Sequence, residues 1–198
     1  MKRKLSLVAI ISAAILQGCS TPGQVQQENQ DQYQAQTIES IKSCASVSGK
    51  ADPLESFITV STVSCFHEVH GILKFKWDDQ FIRAFVSKET GQTSLQIYTS
   101  FYSQNWAFPY SANFLINGQL QTETGTRIAS DVDCSMSSTY GYCTHNEHFG
   151  FDIAADDLFI EARRLKAEGK VDFVYRINNK ATGDRDKKIH VNEILGVQ

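Results

Sequence analysis

Along the middle of this 198-residue chain, apolar and polar positions alternate in short runs. Phe57 to Val63, Ile72 to Trp77, Phe81 to Val86, Thr93 to Tyr102, Ala112 to Gln121 and Arg127 to Val132 are rich in β-branched and aromatic residues. Several of them repeat with a period of two, the spacing of a strand that buries one face. Lys88-Glu89-Thr90-Gly91 and Thr122-Glu123-Thr124-Gly125 separate strands of comparable length and predict turns, so antiparallel pairing is expected. The period then becomes helical. Asp156 and Asp157 open a segment in which Leu158, Ala162 and Leu165 share a face, Arg163, Arg164 and Lys166 come late, and Gly169 ends it. Val171, Phe173, Tyr175 and Ile177 resume the strand alternation, and a short helix is expected near Thr37 with Ile38 and Ile41 on one face. The expected fold is mainly β: an antiparallel β-sandwich or curled sheet with one docked helix near its C-terminal end, and α+β as the fallback. The aromatic residues from Tyr98 to Tyr110 are expected to form a core seam, with an exposed ligand platform as the alternative.

The two ends of the first twenty residues carry a different pattern. Lys2-Arg3-Lys4 precede an apolar run from Leu5 to Leu16, and Leu16-Gln17-Gly18-Cys19 closes it. A run of twelve positions, ten of them apolar, is too short for a membrane span, which needs about 20, and long enough for the core of a secretory signal. These residues resemble the lipobox signals of bacterial lipoproteins. The resemblance implies cleavage after residue 18, a diacylglycerol on Cys19 with further acylation, and no other cofactor. Ser20 in place of Asp after the lipidated cysteine implies sorting to the outer membrane. Residues 19–40, with seven Gln between Ser20 and Gln36, are expected to be a flexible tether, and residues 41–198 a single globular β-rich domain facing the periplasm. Residues 95–198 also loosely resemble the carboxyl-terminal part of uncharacterised proteobacterial lipoproteins, through Cys134, Cys143, Glu147 and the helix to Gly169; this likeness implies no activity.

Composition sharpens that picture in two ways. The signal holds three of the 19 basic residues and none of the 22 acidic ones, which takes the formal charge from −3 to −6 after its removal. Without a basic stripe to displace counterions, nucleic acid is not expected as a partner. With Cys19 assigned to lipid, four of the five cysteines remain, and in an exported chain an even number predicts disulfides. Of three possible connectivities, the short loops favour Cys44–Cys65 and Cys134–Cys143.

Candidate chemistry is concentrated in a doublet. Cys65-Phe66-His67-Glu68-Val69-His70 and Cys143-Thr144-His145-Asn146-Glu147-His148 both follow C-x-H-x-x-H and contain four of the five histidines. If the copies met in space, His67, His70, His145 and His148 would suit copper or zinc. Residues three apart on a strand face opposite ways, however, so strand-end histidines with ordinary partners are the expectation and no metal site is assigned. The chain has no G-x-S-x-G or H-E-x-x-H motif and no phosphate-cradling glycine loop. Asp78 with Asp79 and Asp131 with Asp133 are expected to be solvated turn carboxylates. The expected function is therefore non-catalytic: a membrane-anchored protein that binds an envelope protein partner in an assembly or accessory role. A periplasmic metal-binding protein is the alternative, and a cell-wall or glycan hydrolase the third.

Overall fold

The computed structural model describes residues 21–66, 69, 70, 75, 76, 79–135 and 141–198. The expected signal, Cys19, His67 and Asp78 lie outside the described residues. The chain begins with helices α1 (Pro22–Gln34) and α2 (Ile38–Cys44). Strands β1 (Ser46–Ser48), β2 (Phe57–Ser61), β3 (Val69–His70), β4 (Phe75–Lys76), β5 (Gln80–Ser87), β6 (Thr93–Ser103), β7 (Pro109–Ile116), β8 (Gln119–Asp133) and β9 (Thr144–Ile153) follow. Helix α3 (Ala155–Ala167), strands β10 (Asp172–Asn179) and β11 (Arg185–His190), and the short helix α4 (Val191–Gly196) complete it.

Among the described residues, nine strands form one antiparallel sheet in the order β1-β2-β5-β6-β9-β8-β7-β10-β11, while β3 and β4 pair separately. Of the two expected arrangements, the curled sheet is the one formed, not the sandwich. The curl is tight enough for Arg185 and Lys187 of β11 to reach the Phe101 ring of β6, at 5.4 and 5.6 Å. The inner face supplies Ile82, Leu95, Ile97, Phe101, Phe114, Phe149, Phe151 and Tyr175 to the core. Helix α3 closes over that face with Leu158, Phe159, Ala162 and Leu165, and α4 adds Ile194 and Leu195. Each large apolar side chain so buried contributes roughly 1.5–3 kcal/mol. Both disulfides form as the short loops favour: Cys44–Cys65 ties the end of α2 to the segment after β2, and Cys134–Cys143 spans the β8–β9 connection.

The turn between β7 and β8 corrects one sequence expectation. Thr122 to Gly125 lie within β8, and the chain reverses instead at Asn117-Gly118, where both residues have positive φ, +51° and +76°. Asn-Gly tolerates this conformation and matches the strand twist, so the hairpin closes there and carries Leu115 opposite Leu120. Helix α3 locks the turn, because the buried carboxylate of Glu161 accepts the Asn117 N–H at 3.0 Å. The Arg164 guanidinium beside Glu161 holds its carboxyl below the usual range.

The expected tether is also corrected. Residues 22–34 form α1, opened by a capping box in which the Thr21 N–H donates to Gln24 Oε1 at 2.7 Å and the Gln24 N–H donates to Thr21 Oγ1 at 3.3 Å. Val25, Asn29 and Tyr33, four residues apart, make a buried stripe in a segment whose many Gln are good helix formers. The Tyr33 hydroxyl donates to Asp172 Oδ1 at 2.8 Å, and its ring packs edge-on against Phe66 and His190, at 5.4 and 5.1 Å. The folded unit therefore takes in the Gln-rich stretch.

Candidate functional site

On the central strands the period of two divides the residues cleanly. Ile82, Ile97 and Phe149 point into the core, and their neighbours Phe81, Arg83, Tyr98, Ser100 and His148 occupy the outer face. Register places Phe81 directly opposite Tyr98, and His148 opposite both Ser100 and Ala129. A shift in register between Arg127 and Ala129 turns β8 locally, and Ile128 lies beside the groove at that point. The result is an open groove of about 380 Å³ lined by these residues with Val63, Asp79 and Tyr102.

The groove is assembled by cross-strand pairs. The Phe81 and Tyr98 rings stack with centroids 4.8 Å apart and planes 3° from parallel. The Arg83 guanidinium carbon lies 4.6 Å from the Tyr98 centroid and 5.3 Å from that of Phe81. Ser100 Oγ and His148 Nδ1 share a hydrogen bond of 2.8 Å, and His148 Nε2 is 3.3 Å from the Asn146 side-chain nitrogen. Gly150 leaves the space above it to these side chains: a Cβ there would stand 2.8 Å from Ile128 Cδ1 and 3.4 Å from Tyr98 Cε1. Such a surface combines apolar rings, a cation and a few fixed polar groups, as small-ligand sites do.

Behind the sheet lies a polar cluster that sequence reasoning missed. Glu193 of α4, only 3% exposed, accepts a hydrogen bond from Thr62 Oγ1 at 2.5 Å. Thr62 Oγ1 also accepts the Ile82 N–H at 3.0 Å. Burial pushes the Glu193 carboxyl up to about 8, the Thr62 hydroxyl opposes that, and the charge of Asp79 adds to it. Nearby, the Tyr175 hydroxyl shares a 2.9 Å hydrogen bond with Thr99 Oγ1, and burial makes it a weaker acid than an ordinary tyrosine. His190 caps α4 by accepting the Asn192 N–H at Nδ1, 3.0 Å, and burial lowers its affinity for a second proton.

A second anchor is Glu147, singled out in the sequence for other reasons and fully buried on the inner side of β9. It accepts the Ala107 and Phe108 N–H groups at 2.5 and 3.1 Å and pairs with Arg127 at 3.3 Å. Arg127 lies over the rings of Trp106 and Phe108, at 5.5 and 5.2 Å, and Phe108 sits at a positive φ of 51°. The aromatic run from Tyr98 to Tyr110 is thus divided: Phe101 is core, Tyr98 belongs to the groove, and Phe108 and Tyr110 are exposed.

Within the second copy of the histidine doublet, the two imidazoles separate. His145 and His148 sit on opposite faces of β9, His145 edge-on to Trp106 at 4.6 Å and His148 in the groove, so they do not converge on one ion. His70 lies on β3, and no group of three or more His, Cys, Asp and Glu is poised for a metal among the described residues. Asp131 and Asp133 are exposed, and Asp133 accepts the Ser135 N–H at 2.8 Å, which holds its carboxyl below the usual range. Arg163 donates to Gln198 Oε1 at 2.9 Å, whereas Arg164 serves Glu161 and Glu168 on its own helix. Among the described residues, no helix is long and apolar enough to cross a membrane. No protein-family model, curated protein or solved structure matches this chain.

Proposed function

We propose that this chain is an outer-membrane lipoprotein, anchored through Cys19, whose β-rich domain acts by binding an envelope component in an assembly or accessory role. The lipobox pattern supports the anchor, and two disulfides suit an oxidising compartment. The observation that carries the binding role is the outer-face groove, where Arg83, Phe81, Tyr98 and His148 are held by strands whose opposite faces are locked in the core. Side chains so supported lose little freedom when a ligand arrives, and the anchor raises their effective concentration near membrane partners.

The test places a photo-activated crosslinker at Ala129 in the groove, and in a control at Glu89 on the β5–β6 turn, in intact Gram-negative cells. Adducts formed from Ala129 and not from Glu89 are expected. Equal labelling from both positions refutes a groove-based role. Cys19→Ser is expected to move the protein from the membrane to the soluble periplasmic fraction, and retention in the membrane refutes the anchor.

A further inference from the structure

We propose that the groove takes a small amphiphilic anion, whose apolar chain or ring lies against Phe81, Tyr98, Val63 and Ile128 while its carboxylate or phosphate meets Arg83. This rests on the groove being the binding site and specifies the ligand it fits. Arg83 is the point of departure. Arg127, Arg164 and Arg176 each pair with a carboxylate, but among the described residues none lies within ion-pair distance of Arg83. Its guanidinium carbon instead lies 4.6 and 5.3 Å from the centroids of the two stacked rings. An arginine held by ring contacts in place of a carboxylate keeps the N–H fork that grips carboxylate or phosphate with two parallel hydrogen bonds.

The surroundings select the rest of the ligand. Apolar side chains dominate the walls, so a hydrated ion alone would leave most of the surface unused, and an apolar body beside the charge would exclude water and strengthen the pair. Asp79, at one wall, has its carboxylate engaged by the Gln80 N–H at 3.0 Å. The Ser100–His148 pair supplies a second polar contact across the groove floor. The volume of about 380 Å³ stands near the lower end of the ~300–1,000 Å³ usual for small-molecule sites, which sets the ligand's size.

The experiment titrates the purified, isotope-labelled protein with octanoate, octyl phosphate, uncharged octyl glucoside and acetate, following backbone amide and arginine side-chain resonances. Octanoate or octyl phosphate is expected to shift the resonances of Arg83, Tyr98, Ser100 and His148 at concentrations about tenfold or more below octyl glucoside and acetate. Whichever of the two charged amphiphiles binds tighter distinguishes a fatty-acid-like source from a phospholipid-like one. Arg83→Gln, its fold verified by the dispersion of its own spectrum, is expected to weaken binding about tenfold to hundredfold, the usual loss for a charge-assisted hydrogen bond, and Arg83→Lys to recover part of it. Equal binding of octyl glucoside, or no effect of Arg83→Gln, overturns the anionic ligand while leaving a groove that binds. Equal binding of acetate overturns the apolar half. Silence from every compound overturns the inference outright, and the crosslinking experiment then decides the binding role separately.

Discussion

Replacing Glu193 by Gln tests the buried polar cluster most directly, because the change keeps shape and removes only the titration. In the folded chain this carboxyl is pushed up to about 8 from 4.5 by burial, opposed by the Thr62 hydroxyl and assisted by Asp79. An acid with a raised value holds its proton in the folded state after the unfolded chain has released it. The stability it contributes is full below about pH 4.5 and is lost as pH rises toward 8. Inside that window a single proton is worth ~1.4 kcal/mol per pH unit, so wild type should lose about 3 kcal/mol against Glu193→Gln between pH 5 and 7.5. By pH 9 the gap should widen to about 4 kcal/mol, a large share of the 5–15 kcal/mol typical of a domain. Urea unfolding of both proteins at pH 5, 6, 7.5 and 9 measures it, and the difference between them cancels titrations elsewhere. A difference that stays constant within about 0.5 kcal/mol over this range would show that Glu193 titrates like an exposed carboxylate, and would refute the account.

Glu147→Leu should destabilise by about 3–5 kcal/mol, since it leaves Arg127 without its carboxylate and strands two N–H groups of the Ala107–Phe108 turn; Glu147→Gln should cost less, and urea midpoints rank the two. Opening Cys44–Cys65 by Ser replacements should lower stability by about 3 kcal/mol and opening Cys134–Cys143 somewhat less, because the loops close 21 and 9 residues; thermal unfolding of each variant provides the comparison. Tyr33→Ala should release α1, costing about 3 kcal/mol or more and exposing residues 22–36 to protease and hydrogen exchange, whereas a free tether would make the substitution neutral.

Sequence and structure agree where local rules suffice. Strands β5, β6 and β10 and helix α3 follow the periods that predict them, because one face of each packs against the same core. The cysteine pairing follows from loop length. The missed hairpin turn was legible, since Asn117-Gly118 is the stronger turn signal of the two available; Thr122 to Gly125 competed with it and lost because β8 continues past them to pair with β9. Helix α1 was legible only in part. Its Gln-rich surface resembles a linker by composition, and the stripe of Val25, Asn29 and Tyr33 acquires meaning from the Phe66, Asp172 and His190 surface that receives it.

The chain's linear pattern determines the β character, the core helix α3 and the two staples, since each depends on residues near one another in sequence; the short second core helix α4 was not among them. Strand order belongs to the tertiary structure. Inserting β9 between β6 and β8 brings His148 to Ser100 and Ala129, and carries Glu147 to a turn about forty residues away. The same alternation that sends Phe149 inward sends His148 outward, which separates it from His145 and builds the groove. No local rule decides which strands become neighbours. That choice is settled by the apolar surface the whole curled sheet buries at once, and the groove exists only as its outer face.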